Sequence, residues 1–374
     1  MDHKPIPHRL VSQPHDGQRL CAGALLKTSA GAAVSALMLV STAHAIDGSV
    51  TLYGKIDAFG EYDSGGSQGN RLAFDSGGVN GTRWGMKGET PLASVAPDLK
   101  AIFQIEGGLF VNNGNQAQGG RLFGRQAYVG ATGGFGTLTL GRQYTPLVNT
   151  VVNFDSFGQA YGSPTNDGQV SVGLDTRYDN ALIYATPNLG GLTANAMAAL
   201  GGKTGNSGHD AFALSVDYSA AGLDLGAVYQ RDDHYLAVDS AIGNFFAGAS
   251  YKIGIFKVMG GFGSVRTSPD GGAALKRNEW LLGTTIDVTA SGQLWLDYGT
   301  GKTNNVSPSD KSTAYSAAWM QSITKQARAY VVASIHKNGA GAALVPQGTS
   351  SSGAYTISPG DTARGLAVGF QYDF

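Results

Sequence analysis

Cysteine is nearly missing: Cys21 is the one thiol in 374 residues and falls in an N-terminal leader. The rest of the chain therefore has neither a disulfide framework nor a thiolate metal site. Gln18-Arg19-Leu20 before it are not preceded by an apolar run, which removes a lipoprotein reading. Proline is scarce, at 12 residues against 56 glycines, and this excludes collagen and proline-rich linkers. Neither charge sign dominates, with 26 Lys and Arg against 27 Asp and Glu, so no basic excess points to nucleic acid. Mean hydropathy is −0.09, and the chain lacks the series of ~20-residue apolar spans that a helical membrane protein needs. No fixed-period repeat marks a solenoid. The glycine runs at 133–136 and 260–263 do not follow the nucleotide-binding pattern and suit turns, bulges and close strand contacts.

What the chain does have is alternation. In its closing stretch Leu366, Val368, Phe370, Tyr372 and Phe374 take every second place, separated by Gly365, Ala367, Gly369, Gln371 and Asp373. Side chains alternate faces along a strand, so the segment has one apolar face and one small or polar face. The apolar face ends in three aromatics, the rings that membrane strands place at the interface. Strand-like runs recur at 49–63, 81–89, 98–110, 121–131, 137–145, 176–187, 192–201 and 210–219. The series continues at 222–232, 242–253, 255–266, 277–288, 291–301, 311–323 and 326–337, and closes at 365–374. Tight turns such as 132–136 and 188–191 alternate with long polar loops, among them 64–78, 111–120, 146–175 and 338–361. About sixteen segments of roughly ten residues, with short and long connections alternating, predict an all-β, 16-stranded antiparallel transmembrane β-barrel. Closure removes the edges that an open sheet would expose. A soluble pair of sandwiches or a propeller would require neither the loop alternation nor the aromatic band.

Single strands give the lumen its character. Arg83 and Lys87 oppose Trp84 and Met86; Lys100, Gln104 and Glu106 oppose Ala101, Phe103, Ile105 and Leu109. A charge facing lipid at mid-depth costs ~2–4 kcal/mol, so the charged faces point inward. A barrel of ~16–18 strands then encloses water.

Ahead of the barrel, Lys27, an apolar run at roughly 30–40 and Ala43-His44-Ala45 form the three parts of a secretory signal peptide. The signal peptide is expected over residues 1–45, with an unusually long polar n-region. Cleavage after Ala45 leaves the barrel at 46–374, which is 374 − 45 = 329 residues, with a charge of (26 − 4) − (27 − 2) = −3.

Seven stretches in order carry a family resemblance: 49–54 (SVTLYG), 82–88 (TRWGMKG), 124–130 (GRQAYVG), 134–143 (GFGTLTLGRQ), 177–180 (RYDN), 187–191 (PNLGG) and the terminal Phe374. With them the chain from 46 onward resembles the Gram-negative general porins, particularly the β-proteobacterial and neisserial branch. The resemblance implies a trimeric diffusion channel of the outer membrane whose third long loop, 146–175, folds inward and narrows the lumen. It implies wall arginines facing acidic loop residues, and these carry over onto Arg83, Arg125 and Arg177, with Asp155 as the first acidic candidate and Asp167 and Asp175 behind it. Asp155-Ser156-Phe157-Gly158 stands where some relatives have Pro-Glu-Phe-Gly. Arg83 has a clean lumen phase; Arg125 shares parity with Ala127 and Val129 and faces inward only if a bulge intervenes; Arg177 stands at a strand start.

The expected function is an outer-membrane channel for passive diffusion of small hydrophilic solutes and ions. Its partners would be outer-membrane lipid and two further copies of the chain, with no cofactor, metal or nucleic acid. A substrate-specific porin is the narrower alternative; Tyr53, Phe59 and Trp295 share the lumen face but are too scattered for a sugar slide. A barrel enzyme is the other: His209, His234 and His336 follow the leader, and a His-Ser-Asp site assembled in space would be its signature. A plugged barrel serving as an adhesin would differ only in residual pore size.

Overall fold

The computed structural model describes residues 48–66, 69–171, 175–201, 210–233, 240–269, 272–349 and 355–374; the leader expected at 1–45 lies outside them. Among these residues the wall is built from β1 (Ser49–Gly66), β2 (Gly69–Ser76), β3 (Arg83–Pro91), β4 (Lys100–Gly108), β5 (Gln126–Gly133), β6 (Gly136–Tyr144), β7 (Arg177–Ala185), β8 (Leu192–Ala199) and β9 (Asp210–Ala220). It continues through β10 (Leu223–Asp233), β11 (Ala241–Ile253), β12 (Phe256–Ser268), β13 (Leu275–Asp287), β14 (Gly292–Thr303), β15 (Ser312–Ser322), β16 (Ala327–Asn338) and β17 (Thr362–Asp373). All pairings are antiparallel, and β17 returns to β1 from Lys55↔Asp373 to Ser64↔Arg364, which closes the sheet.

Seventeen strands make sixteen wall positions, because β2 and β3 are two halves of one stave. Both lie against β1: β2 from Ala58↔Ser76 outward, β3 from Ser49↔Glu89 to Lys55↔Arg83. The break between them turns inward and is held by the Asp57 carboxylate, which accepts N–H bonds from Gly78, Val79 and Asn80 at 3.0, 3.1 and 2.9 Å. β2 corrects the long loop expected at 64–78. Its Leu72 and Phe74 point outward, each 82% exposed, while inward Arg71 meets Glu61 and Asp63 at 2.5 and 3.1 Å. Glycine and serine on both flanks masked a short alternating run.

The outer face is apolar and the inner face polar. Leu52, Leu140, Leu214, Leu282, Val368 and Phe370 are exposed, whereas Glu106, Gln230, Glu279 and Gln371 are buried inside the barrel. This inverts the order of a soluble protein and is what a lipid-facing wall requires.

The third loop does fold into the barrel. It opens with α1 (Pro146–Val152), a helix that strand alternation gave no sign of. Thr145 caps it by accepting from the Val148 N–H at 3.2 Å, with Pro146 in the first turn. Leu147 and Val151 on the helix, with Phe154 and Val170 beyond it, pack on Val228, Phe246 and Leu281 of the wall. The Phe154 ring lies where Cβ atoms at Gly226 and Gly248 would stand, at 2.6 and 2.5 Å, so those wall positions must be bare. Further along, Ser156 donates to the Leu296 carbonyl (2.8 Å), Tyr161 to Asp63 (2.6 Å), and the Ser171 N–H to Glu279 (2.6 Å).

Candidate pore constriction

Across the lumen from the wall that fastens the third loop stands a cluster of arginines. Glu106 on β4 is its hub. Arg125 Nε lies 2.7 Å from Glu106 Oε1, Arg83 Nε 3.7 Å from Oε2, and the Tyr53 hydroxyl donates to Oε2 at 2.9 Å. Gln104 donates to the Tyr53 oxygen (2.6 Å) and accepts from Tyr128 (2.8 Å), so four strands are tied by one polar net. Arg125 also donates to the Tyr144 hydroxyl at 2.6 Å. Arg177 donates to the same oxygen, and its guanidinium lies 4.0 Å from the centre of the Tyr144 ring. The three arginines thus form a continuous ledge through Glu106 and Tyr144. Three guanidiniums stand against the one carboxylate, Glu106, that the ledge contains, so cations outnumber acids on it, since arginine stays protonated.

The inward phase of Arg125 has a simple cause. β5 begins at Gln126, and Arg125 sits in the bend before it, its N–H bonded to the Glu106 carbonyl at 3.1 Å, so strand parity does not govern it. Arg177 opens β7 opposite Tyr144, next to a register shift between Gly141 and Gln143. Arg125, Tyr144 and Arg177 border a cavity of about 350 Å³ whose other side is Val148, Val151, Gln159, Thr165 and Asn166 of the loop, with Asp175 at the loop's far end as its one acid.

The expected pairing of the arginines with Asp155 is not formed. Asp155 is buried, and its oxygens accept from the Phe157 N–H (2.8 Å), the Gln159 N–H (3.0 Å), the Ser163 hydroxyl (2.6 Å) and the Thr165 hydroxyl. The loop's turn captures the acid, and the arginines take their counter-charge from the wall. Asp167 is likewise directed away from the ledge, its Oδ2 3.3 Å from His336 Nε2. Phe59 and Trp295 pack with Tyr161 and Phe157 of the loop, so of the three lumen rings expected at Tyr53, Phe59 and Trp295 it is Tyr53 that touches the ledge.

Of the histidines weighed for catalysis, His209 and His234 lie outside the described residues. His336 is fully buried with Asp167 and Gln169. Residues 65–69 spell Gly-x-Ser-x-Gly; Ser67 lies outside the described residues, and the flanking Gly66 and Gly69 pair with each other as ends of β1 and β2, two strands rather than the strand and helix that flank a nucleophile elbow.

A closed barrel, oily outside, charged within and narrowed by its own loop, is a membrane channel, and the relatives say which kind. The profile of the Gram-negative porins matches residues 33–341, and the chain belongs to that family. An outer membrane porin protein of Bordetella pertussis is 26% identical over 379 residues, covering 85% of this chain and 94% of the relative. Outer membrane porin protein 32 of Delftia acidovorans is 26% identical over 355 residues, covering 91% and 98%. Among solved structures, the anion-selective porin from Comamonas acidovorans superposes with a TM-score of 0.77 at 26% identity, covering 88% of this chain and all of that one. A trimer form of OmpT from Vibrio cholerae, at 15% identity and a TM-score of 0.66 over 87% of this chain and 99% of that one, shares the fold. The protein is an outer-membrane channel for passive diffusion of small hydrophilic solutes and ions.

Proposed function

We propose that the channel prefers anions and that Arg83, Arg125 and Arg177 impose the preference. The observation that carries this is the excess of guanidiniums on the ledge: three arginines gather around one wall carboxylate, Glu106, while the loop acids Asp155 and Asp167 are bonded elsewhere, so that even with Asp175 at the cavity's edge positive charge is in excess. A fixed charge in a narrow, low-dielectric neck raises the local concentration of the opposite ion. The anion selectivity of the Comamonas acidovorans porin supports the same sign. Asp155 acts from behind, holding the loop's curvature and so the width of the gap. The working unit is a homotrimer in outer-membrane lipid, and transport involves no cofactor, metal or covalent step.

The test is the reversal potential of R83Q, R125Q and R177Q channels in a KCl gradient. Each neutralisation is expected to lower the anion-to-cation permeability ratio, with the triple variant near unity or below. Reversal potentials unchanged in all three would overturn the assignment.

A further inference from the structure

Tyr144 is the last residue of β6, and strand parity would send its ring outward with Leu138 and Leu140, both exposed on the lipid face. The ring lies inside instead. The chain leaves the wall here: the Thr145 N–H donates to the Thr176 carbonyl at 3.1 Å, and α1 starts at Pro146. That departure carries Tyr144 to the cavity it borders with Arg125 and Arg177. An aromatic ring suited to lipid is thus held in a wet neck, against two guanidiniums whose centres lie 5.9 and 4.0 Å from its own.

The hydroxyl's hydrogen bonds leave one donor unspent. A phenolic oxygen can accept twice and donate once. Arg125 donates to it at 2.6 Å and Arg177 donates to it as well, which fills the acceptor side. Among the described residues no acceptor takes the hydroxyl's own hydrogen. Arg125 spends Nε on Glu106 and Nη2 on Tyr144, while its Nη1 has no partner among the described residues and is not sealed from solvent. The Tyr144 O–H and Arg125 Nη1 therefore have the cavity to donate into, beside the Arg177 guanidinium. Guanidiniums draw in any anion, chloride included. A hydroxyl adds a directed donor without adding charge. A carboxylate spreads two oxygens across such a set of donors, whereas a halide offers a single centre.

We propose that Tyr144 is a specificity-determining residue of the channel, its hydroxyl joining Arg125 and Arg177 to favour small carboxylates over halides. The assignment rests on the anion-preferring reading of the ledge and divides the roles within it. The arginines set the sign of the ion that enters, and Tyr144 chooses among anions. Its ring adds a cation–π seat that keeps the Arg177 guanidinium beside the hydroxyl.

The test is the Tyr144→Phe channel in planar bilayers, which keeps the ring and every charge and loses the hydroxyl alone. Acetate-to-chloride permeability is read from bi-ionic reversal potentials, with bromide-to-chloride as the control and chloride-to-potassium from a KCl gradient. The variant is expected to lower the acetate-to-chloride ratio by roughly three- to tenfold, with the other two ratios unchanged. An acetate-to-chloride ratio equal in native and variant channels would overturn the proposal. So would a bromide-to-chloride ratio moving by the same factor, because the hydroxyl would then act on all anions alike. A chloride-to-potassium ratio falling as far as in R177Q would also overturn it, reducing Tyr144 to a prop for the arginines. A second measurement needs no variant: acetate added to native channels in KCl is expected to lower the chloride current saturably, and currents that mix in simple proportion would count against a seat. The two readings fail separately. Native channels reversing on the potassium side reject the anion preference itself, whereas a chloride-side reversal with equal acetate-to-chloride ratios rejects the role of Tyr144 alone.

Discussion

Glu106 is the residue on which the constriction's electrostatics turn, since it meets two of the three ledge arginines and the Tyr53 hydroxyl. Glu106→Gln makes the ledge more positive by one charge. Anion preference is then expected to increase, opposite to the arginine variants. The same change leaves Arg125, 6% exposed at its side chain, without its carboxylate, and stability is expected to fall by about 1–3 kcal/mol. A reversal potential moving toward cations would contradict this role. Asp167 makes the second prediction at this scale. Burial pushes its carboxyl well above the usual range, and Asp155 and Asp63 add to the rise. The folded loop therefore favours the protonated acid over an unfolded value of about 3.9. Its docking is firmest below that pH and weakens as pH rises toward the raised folded value. Channel noise from loop movement should grow over that interval, and Asp167→Asn should flatten the dependence; an unchanged pH profile in the variant would exclude Asp167 as its source.

Among the elements, the third loop depends on Asp155 as a brace. Asp155→Ala strips acceptors from two N–H groups and two hydroxyls, each costing about 1–3 kcal/mol if left unpaired. The barrel, built without that residue, should persist, while protease cleavage within 153–171 appears and open-channel noise rises. A loop as protected as the native one would show that the brace is dispensable. This element also marks where the sequence stopped being legible. Two-residue alternation exposes strands whose faces meet different solvents, and the sixteen staves follow from it. α1 has both sides inside the barrel, so no alternation announces it. Parity placed Arg83, Gln104 and Glu106 in the lumen, but the bend before β5 turns Arg125 inward by a backbone departure that parity does not encode. Asp155 does not pair with the arginines because the capture of its oxygens by Ser163 and Thr165 depends on a turn formed within the loop, which no strand pattern encodes.

For the whole molecule, closure is the condition on which everything else stands. The last rung is Phe374, whose N–H donates to the Gly54 carbonyl at 3.0 Å and whose carbonyl accepts from the Gly54 N–H at 2.9 Å. Deleting it removes both bonds at the seam between the ends of the chain, and a lower heat-unfolding temperature is expected. The central claim, a water-filled and anion-preferring passage through the barrel, is tested most directly in a planar bilayer. Purified native protein should insert in discrete conductance steps whose reversal potential in a KCl gradient lies on the chloride side of zero. Inserted protein that passes no current, or steps reversing on the potassium side, would contradict it.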